Sequence, residues 1–563
     1  MTAAARRATT GAQRAEDSSV LGASAVMAAG TIVSRASGFI RSALLVAAIG
    51  SVGTHADAFN LANTIPNMLY ILLAGGVFNA VLVPQLVRAY QHDADHGKAY
   101  TDRIITLAFC FLGAVTVLLV LAAPLVMRIY LDSSWYQPDH DAQRTAAIAF
   151  ARLCLPQVFF YGMFVLVGQV LNARGRFGPM MWAPIANNVV SILTLAVYLA
   201  LFGASPVGGY SDAEVLLLGL GSTLGIAAQF LLLLPPLRAA GVRVSPRFDF
   251  RGTGLGHTLR LGGWTVLFVV VNQIAYTVVT RLASGGAAAE GTGYTIYANS
   301  FLVTQVPHSI VTVSLATALL PLLTRHAAGG DRAGMGRGLS RNLRSALSLV
   351  IPAAALLPVL ANHVARLLFG YGASADQYHS YAPTLAVFAP GMVFFTVHYF
   401  MLRGFYAIEQ NRTVFFIQCA VGATNVVAAL VLVRLVDPEH TAPALAAAYG
   451  LSYLVGAVVS FVVLRGQVRD LDETRLLRFL IRMLLVTAVA TLAAWLVDQA
   501  LLTYDRAPGL VVTVAEIAAV GGVSGCMVLL GAKAMRITEL NQMVAQIGRR
   551  LGRGGQTDRR VGR

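Results

Sequence analysis

Two arginines lie inside an apolar segment near the start of the chain. Arg35 and Arg41 belong to the run SRASGFIR, within a block of apolar residues long enough to cross a membrane. An arginine inside a membrane span costs at least about 2.5 kcal/mol on insertion scales, so it usually serves a function. Its planar guanidinium donates paired hydrogen bonds to phosphate oxygens. The pair therefore predicts a cationic cavity wall that binds an anionic head group. The alternative, chiefly for Arg41, is that the side chain extends to the membrane surface.

Amide side chains lie at similar depth in three other apolar blocks. Amides at such positions can bind sugar or peptide groups, and the alternative is hydrogen bonding between helices, worth about 0.6 kcal/mol each. Asp57, at the beginning of the second block, is a further candidate for substrate binding, and the alternative is a helix N-cap. The predicted amide ligands are Asn60, Asn63, Asn67, Asn272, Gln273, Asn299 and Gln305.

Two ionisable residues are candidates for coupling to an ion gradient. His308 lies deep in an apolar block, and Glu516 lies about 12 Å into the last one, so either could carry protons. The chain has no Walker A motif, HExxH, CxxC pair or GxSxG, and no loop is long enough for a catalytic domain. The sequence predicts a transporter without a cofactor, not an enzyme, driven by Na⁺, H⁺ or the membrane potential.

Apolar helices must position these residues. Of the 563 residues, 56% are hydrophobic and 12% are charged, which is about half the charged share of a soluble protein. This composition excludes a soluble enzyme, a disordered chain and a disulfide scaffold, and it predicts an all-α polytopic membrane protein. Windows of about 19 residues predict fourteen spans. They cover 20–49, 58–87, 104–129, 146–172, 180–203, 213–236, 258–283, 293–322, 343–369, 380–407, 413–435, 442–464, 476–500 and 508–532.

The basic residues are concentrated in both tails and in alternate loops. Cytoplasmic loops carry the excess of Lys and Arg, and an even number of spans places both termini on one side. The net charge of +16 is therefore interpreted as a topology signal and not as a nucleic-acid-binding surface. The sequence predicts a multi-pass protein with both termini in the cytoplasm.

The second and eighth spans share a pattern. AFN at 58–60 precedes Pro66, and YAN at 297–299 precedes Pro307, 241 residues later. The two copies are six spans apart along the chain, an even number, so both enter the membrane from the same side, as in parallel transporter repeats. We therefore predict two six-helix lobes related by a pseudo-two-fold axis along the membrane normal, plus two C-terminal helices. Spans one, two, seven and eight should line the route between the lobes.

The predicted domains follow from this repeat. They are an N-tail over 1–19, an N-lobe over 20–240, a cytoplasmic linker over 241–257, a C-lobe over 258–467, two further spans over 468–533 and a basic C-tail over 534–563.

The same motifs carry a family resemblance. SRASGFIR resembles the SR-x-x-GF-x-R signature of the MurJ (MviN) lipid II flippases. Residues 56–76, ADAFNLANTIPNMLYILLAGG, resemble the second span of that family, and the run VPQLVR, which ends at Arg88, follows. The resemblance covers nearly the whole chain. It implies the fold of the MOP exporter superfamily, which includes MATE drug exporters and O-antigen flippases.

The resemblance also implies a function. Lipid II, an undecaprenyl-pyrophosphate disaccharide pentapeptide, would move from the inner to the outer leaflet of the bacterial plasma membrane by alternating access, for peptidoglycan synthesis. A central cationic cavity would bind the head group, and a groove at spans thirteen and fourteen would hold the lipid tail. Arg35 and Arg41 match the family's cavity arginines, and Asp57 matches its second-span aspartate. The implied partners are lipid II, membrane lipids and cell wall synthesis or division machinery.

Several positions depart from the family pattern. Tyr70 stands where many members carry an arginine on span two, and YANS at 297–300 lacks the arginine that follows YAD on span eight. Ser42 replaces an acidic residue. Either Arg281 on span seven substitutes for the missing charge, or amides replace it. Asn425 on span eleven is a loose match to the family's sodium site.

Three other functions fit parts of the sequence. A flippase for another polyprenyl-linked glycan would differ only in its head group. A MATE-like cation-coupled exporter would use cavity carboxylates, and the two arginines argue against it. A scaffold of the wall-synthesis machinery would tolerate cavity substitutions.

Overall fold

The computed structural model describes residues 29–72, 83–92, 95, 97–204, 208–249, 255–468, 470–502 and 509–545, and most of these residues are helical. Within those residues there is no strand. The helices are α1 (Ala29–Ile49), α2 (Gly53–Tyr70), α3 (Val83–His92), α4 (Lys98–Leu121), α5 (Ala123–Tyr130), α6 (Asp141–Cys154), α7 (Gln157–Ala173), α8 (Gly178–Phe202), α9 (Asp212–Leu231), α10 (Leu234–Ala239), α11 (Leu255–Ala288), α12 (Tyr294–Pro307), α13 (Val313–Ala328), α14 (Arg332–Phe369), α15 (Tyr381–Ala407), α16 (Asn411–Arg434), α17 (Thr441–Gln467), α18 (Glu473–Leu502) and α19 (Leu510–Ala534).

The all-α polytopic fold is confirmed. Across the described residues, thirteen helical segments are long and apolar enough to cross a membrane. The second predicted span, 58–87, accounts for the difference from fourteen. Its helix α2 ends at Tyr70 in a π-helical turn over 71–72, and α3 begins at Val83; residues 73–82 lie outside the described part.

Both copies of the repeated pattern contain a π-helical turn. It follows Pro66 in the second span and Pro307 in the eighth, where it covers His308–Thr312. Proline removes a backbone donor from the helix, and π-helical turns are common where the regular hydrogen-bond ladder is disturbed. The proline precedes a π-helical turn in each copy, directly in the eighth span and by five residues in the second.

Asp57 is not the helix N-cap that the sequence predicted. Helix α2 begins at Gly53, its N-cap is Val52, and Asp57 lies in the second turn with no exposed surface. Gly53 has φ +80°, a left-handed conformation that glycine adopts at little cost. This conformation lets the helix begin four residues before the predicted cap.

Helix α14 is longer than the predicted span over 343–369. It begins at Arg332 because the Asp331 carboxylate accepts a hydrogen bond from the Gly334 N–H at 2.7 Å, which caps the helix. That bond, together with the imidazole of His326 at 3.0 Å, holds the pKa of Asp331 below its ordinary value. The 38 residues extend about 57 Å, well beyond a hydrocarbon core of about 30 Å.

The chain forms two compact units. Unit 1 comprises Met1–Gln273 with Tyr371–Ser374, and unit 2 comprises Ile274–Gly370 with Ala375–Arg563. In unit 1, α8 packs along α9, and α2 packs against α6 and α7. In unit 2, α15 packs against α17 and α14, while α14 also contacts α18 and α19. The boundary falls within α11, whereas the predicted linker was 241–257.

Gly291 allows a tight junction between two loops of unit 2. The Thr292 N–H donates to the Pro438 carbonyl oxygen at 3.1 Å, and a β-carbon on Gly291 would clash with the Pro438 backbone. Gly291→Ala should therefore destabilise the protein by about 2 kcal/mol, measured by thermal unfolding in detergent. Gly113→Ala on α4 is the matched control, because its β-carbon would meet nothing within 4 Å. Equal melting temperatures for the two variants would contradict this account.

Candidate functional site

Helix α1 carries both predicted cavity arginines in unit 1. Arg41 lies about 12 Å and Arg35 about 21 Å from the end of the helix at Ile49. The helix continues unbroken through Gly38, and six residues turn it by about 240°. The two side chains therefore leave the helix in different directions, and Arg35 is exposed whereas Arg41 is half-buried.

Helix α8 fixes the segment of α1 around Arg35. The buried Asn188 amide donates to the Ser34 carbonyl oxygen and to Ser37 Oγ, both at 2.9 Å. Ser37 Oγ in turn donates to the Ser34 carbonyl oxygen at 3.0 Å. The sequence analysis predicted no role for Asn188, although two consecutive asparagines inside an apolar span, Asn187 and Asn188, could have indicated one. It acts as a positioning residue for the arginine-bearing turn.

Arg41 interacts with one of two stacked tyrosines. Tyr161 on α7 interacts electrostatically with Arg41, and its ring stacks on Tyr70 of α2 with the centroids 5.7 Å apart. Tyr70 is the position where the family resemblance implies an arginine. Here the position contributes a phenol that packs on Tyr161 instead of a second charge. Tyr161 has no signal in the sequence alone, because a lone tyrosine in an apolar span is ordinary.

The predicted amides of unit 1 differ in their surroundings. Asn63 accepts a hydrogen bond from Gln157 of α7 at 3.0 Å, and the buried Gln273 donates to the Met68 carbonyl oxygen at 2.6 Å. Asn60 donates to the Ala56 carbonyl oxygen at 3.0 Å within its own helix. Asn67 is half-buried on α2, and Asn272 is exposed on α11.

The predicted amides of unit 2 bond to tyrosines of neighbouring helices. Asn299 donates to the Tyr381 hydroxyl at 3.3 Å, and Gln305 donates to the Tyr449 hydroxyl at 3.2 Å. Both hydrogen bonds join neighbouring helices. Hydrogen bonding between helices is the role that the sequence offered as the alternative to substrate binding. Arg281 is half-buried on α11.

The candidate coupling residues lie at three separate places in unit 2. His308 is buried, with its Nδ1 3.3 Å from Thr396 Oγ1 and its ring 4.4 Å from that of Phe395. Asn425 is half-buried on α16. Glu516 lies about 9 Å into α19, which begins two residues later than predicted. No group of three or more His, Cys, Asp or Glu among the described residues is arranged to hold a metal ion.

The α1, α2 and α7 side chains of unit 1 form a donor-rich group. It combines the Arg41 guanidinium, the phenols of Tyr161 and Tyr70, and the amides of Asn63 and Gln157. Guanidinium and phenol groups donate to phosphate oxygens, and amides can pair with sugar hydroxyls or peptide groups. We name these five residues the unit 1 polar group.

Comparison with known proteins gives one family. The family model described as lipid II flippase MurJ matches residues 46–511. The probable lipid II flippase MurJ of Rhizobium meliloti (strain 1021) is 28% identical over 483 residues, which cover 84% of this chain and 86% of that protein. The lipid II flippase MurJ of Burkholderia cenocepacia is 28% identical over 391 residues, covering 68% of this chain and 72% of that protein.

Solved structures share the fold. A lipid II flippase MurJ in an inward closed conformation superposes with a TM-score of 0.69 at 17% identity, covering 90% of this chain and 98% of that one. An inward-facing multidrug resistance MATE family transporter of the MOP superfamily superposes with a TM-score of 0.60 at 16% identity, covering 79% of this chain and 96% of that one.

Proposed function

The chain belongs to the lipid II flippase MurJ family, and we propose that it moves lipid II from the inner to the outer leaflet of the bacterial plasma membrane. The family match extends over residues 46–511, and thirteen helical segments of the described residues are long and apolar enough to cross a membrane. Both termini would lie in the cytoplasm, as the distribution of Lys and Arg indicates.

The observation that carries this proposal is the interaction of Arg41 on α1 with Tyr161 of α7, whose ring stacks on Tyr70 of α2. A guanidinium held next to hydroxyl donors suits a pyrophosphate, which offers several anionic oxygens. Arg35, on the turn of the same helix whose Ser34 and Ser37 bond to Asn188, would engage the head group from another direction. A cation-exporting MATE-like function is disfavoured, because a cationic group would repel its substrate.

We propose that the membrane potential contributes to the driving force. The pyrophosphate head group is anionic, and an inside-negative potential favours outward movement of negative charge by about 2.3 kcal/mol per charge per 100 mV. Na⁺ or H⁺ coupling through Asn425, His308 or Glu516 would add to this force. Contact with cell wall synthesis or division machinery would deliver and consume the substrate.

Depletion in the native host tests the function. A membrane-impermeant probe would count lipid II on the outer leaflet, and extraction would give the total. We expect the total to rise while the outer fraction collapses, because synthesis continues inside and export stops. Re-expression of the wild-type chain should restore both values. An unchanged outer fraction in cells with no second flippase would contradict the proposal.

A further inference from the structure

Three ionisable side chains from three helices meet inside unit 2. His363 on α14 places its Nε2 3.5 Å from Asp498 Oδ1 on α18 and 3.5 Å from Glu516 Oε2 on α19. The exposed fractions are 8% for His363 and 6% for each carboxylate residue. We name these residues the His363 trio. They belong neither to the unit 1 polar group nor to the repeat motifs.

The surroundings of the trio are apolar. Leu360, Ala494 and Val520, each within four residues of a trio member along its helix, form one buried cluster. Within the trio, His363 Nδ1, Asp498 Oδ1 and Glu516 Oε2 are buried without a hydrogen-bond partner. Buried polar atoms of this kind are rare in folded proteins, and each calls for a specific explanation.

Along the three helices, the charged residue nearest to the trio is Arg366, which lies one turn beyond His363 on α14 and is half-buried. The next charges are Arg344 on α14, Arg482 on α18 and Lys533 on α19, each about 24 Å or more away along its helix.

Titratable groups on the other elements that pack against α14 have contacts of their own. His308 bonds to Thr396, Tyr381 stacks on Phe369, and the rings of Tyr378 and His379 contact each other. On α13, His326 pairs with Asp331, and on α15, His398 bonds to the Gly456 carbonyl oxygen.

Two carboxylates buried beside one imidazole leave an excess of negative charge, even with the half-buried Arg366 one turn away on α14. With a neutral imidazole and two ionised carboxylates, the site would carry two negative charges among apolar side chains, which is costly. One proton on the imidazole reduces the net charge to minus one, and a second proton on a carboxyl group makes it neutral. The imidazole Nε2 is equally distant from the two carboxylate oxygens, so one proton can serve both.

We propose that His363, Asp498 and Glu516 form a proton-binding site whose occupancy sets how firmly α18 and α19 are held against α14. Nearer the other end of α14, Arg344 bonds at 2.6 Å to Glu539, which lies five residues after the end of α19. This largely buried ion pair anchors the segment that follows α19 to α14. At the end that holds the trio, the contact depends on bound protons.

The sign of the pH dependence follows from proton counting. On this proposal, the folded trio keeps a proton that the same side chains would release to water in the unfolded chain. Stability therefore falls as pH rises. The purified full-length protein in lipid nanodiscs should show a melting temperature that falls by several degrees over roughly pH 5 to 8.

Two isosteric variants and one control test this proposal. Glu516→Gln and Asp498→Asn mimic the protonated carboxyl groups, so each should flatten the pH dependence of the melting temperature. His379→Gln, which changes an exposed histidine outside the trio, should retain the wild-type slope. Both amide variants keep the side-chain volume and are expected to fold.

A merely structural trio would give a different result. The amide variants would then shift the melting temperature equally at every pH and leave its slope unchanged, and this outcome would overturn the proposal. Hydrogen exchange of α18 and α19, corrected for intrinsic rates, gives a second readout. It should speed up at high pH in the wild type and not in Glu516→Gln. Neither measurement involves lipid II, so the outcome is independent of the proposed transport function.

Discussion

Replacing Arg41 with alanine is expected to abolish growth when the variant is the sole copy in the host. The loss of one charge-assisted contact to pyrophosphate should cost about 2 kcal/mol of head-group affinity, or roughly 30-fold. Arg41 is half-buried near Tyr161 of α7. Helix α7 contains no lysine or arginine that could replace the lost charge. The measurements are complementation of the depletion strain and the outer-leaflet fraction of lipid II. Arg35→Ala should act in the same direction.

Arg41→Lys and Arg128→Ala are the two variants with which Arg41→Ala should be compared. Lysine retains the charge but loses the paired geometry, so Arg41→Lys should give partial complementation. Arg128 lies on α5, outside the unit 1 polar group, and Arg128→Ala should support normal growth. Variant protein levels in the membrane must match the wild type. Normal wall synthesis with both Arg35→Ala and Arg41→Ala at matched levels would show that the site assignment is wrong.

Arg344→Ala is expected to cause the largest loss of stability. Arg344 is 4% exposed and bonds to Glu539 at 2.6 Å and to Ser340 Oγ at 3.1 Å, with Asp472 at 3.5 Å. Removing the guanidinium leaves the largely buried Glu539 carboxylate without its cation, whereas Asp472 keeps its pairing with Arg475 at 3.1 Å. The loss should cost about 3 kcal/mol. Thermal unfolding of the purified protein in detergent measures the effect.

Arg337→Ala is the matched control on the same helix. Arg337 pairs with Asp470 at 3.0 Å, but both side chains are about half exposed. Exposed pairs contribute little because water and salt screen the charges, so this variant should lose less than about 1 kcal/mol. If both variants unfold at the same temperature, the buried network around Arg344 does not anchor the C-terminal spans.

The sequence alone determined the membrane-spanning architecture of this protein. Hydropathy is a local property of about 20 consecutive residues, so the spans and the all-α class could be predicted without tertiary information. The motif around Arg35 and Arg41 also identified the family, because its residues are contiguous. Helix ends were less predictable. The start of α2 depends on the left-handed conformation of Gly53, and the early start of α14 depends on the Asp331 cap.

Only the tertiary structure decided which polar side chains meet. Asn188 reaches Ser34 across 154 residues, and His363 meets Asp498 and Glu516 from two other helices. Periodicity gives the face of a helix but not its rotation against a neighbour, which depends on packing over the whole bundle. Glu516 could therefore be predicted as a candidate proton carrier from its burial in an apolar span. Its partners could be found only where three helices come together.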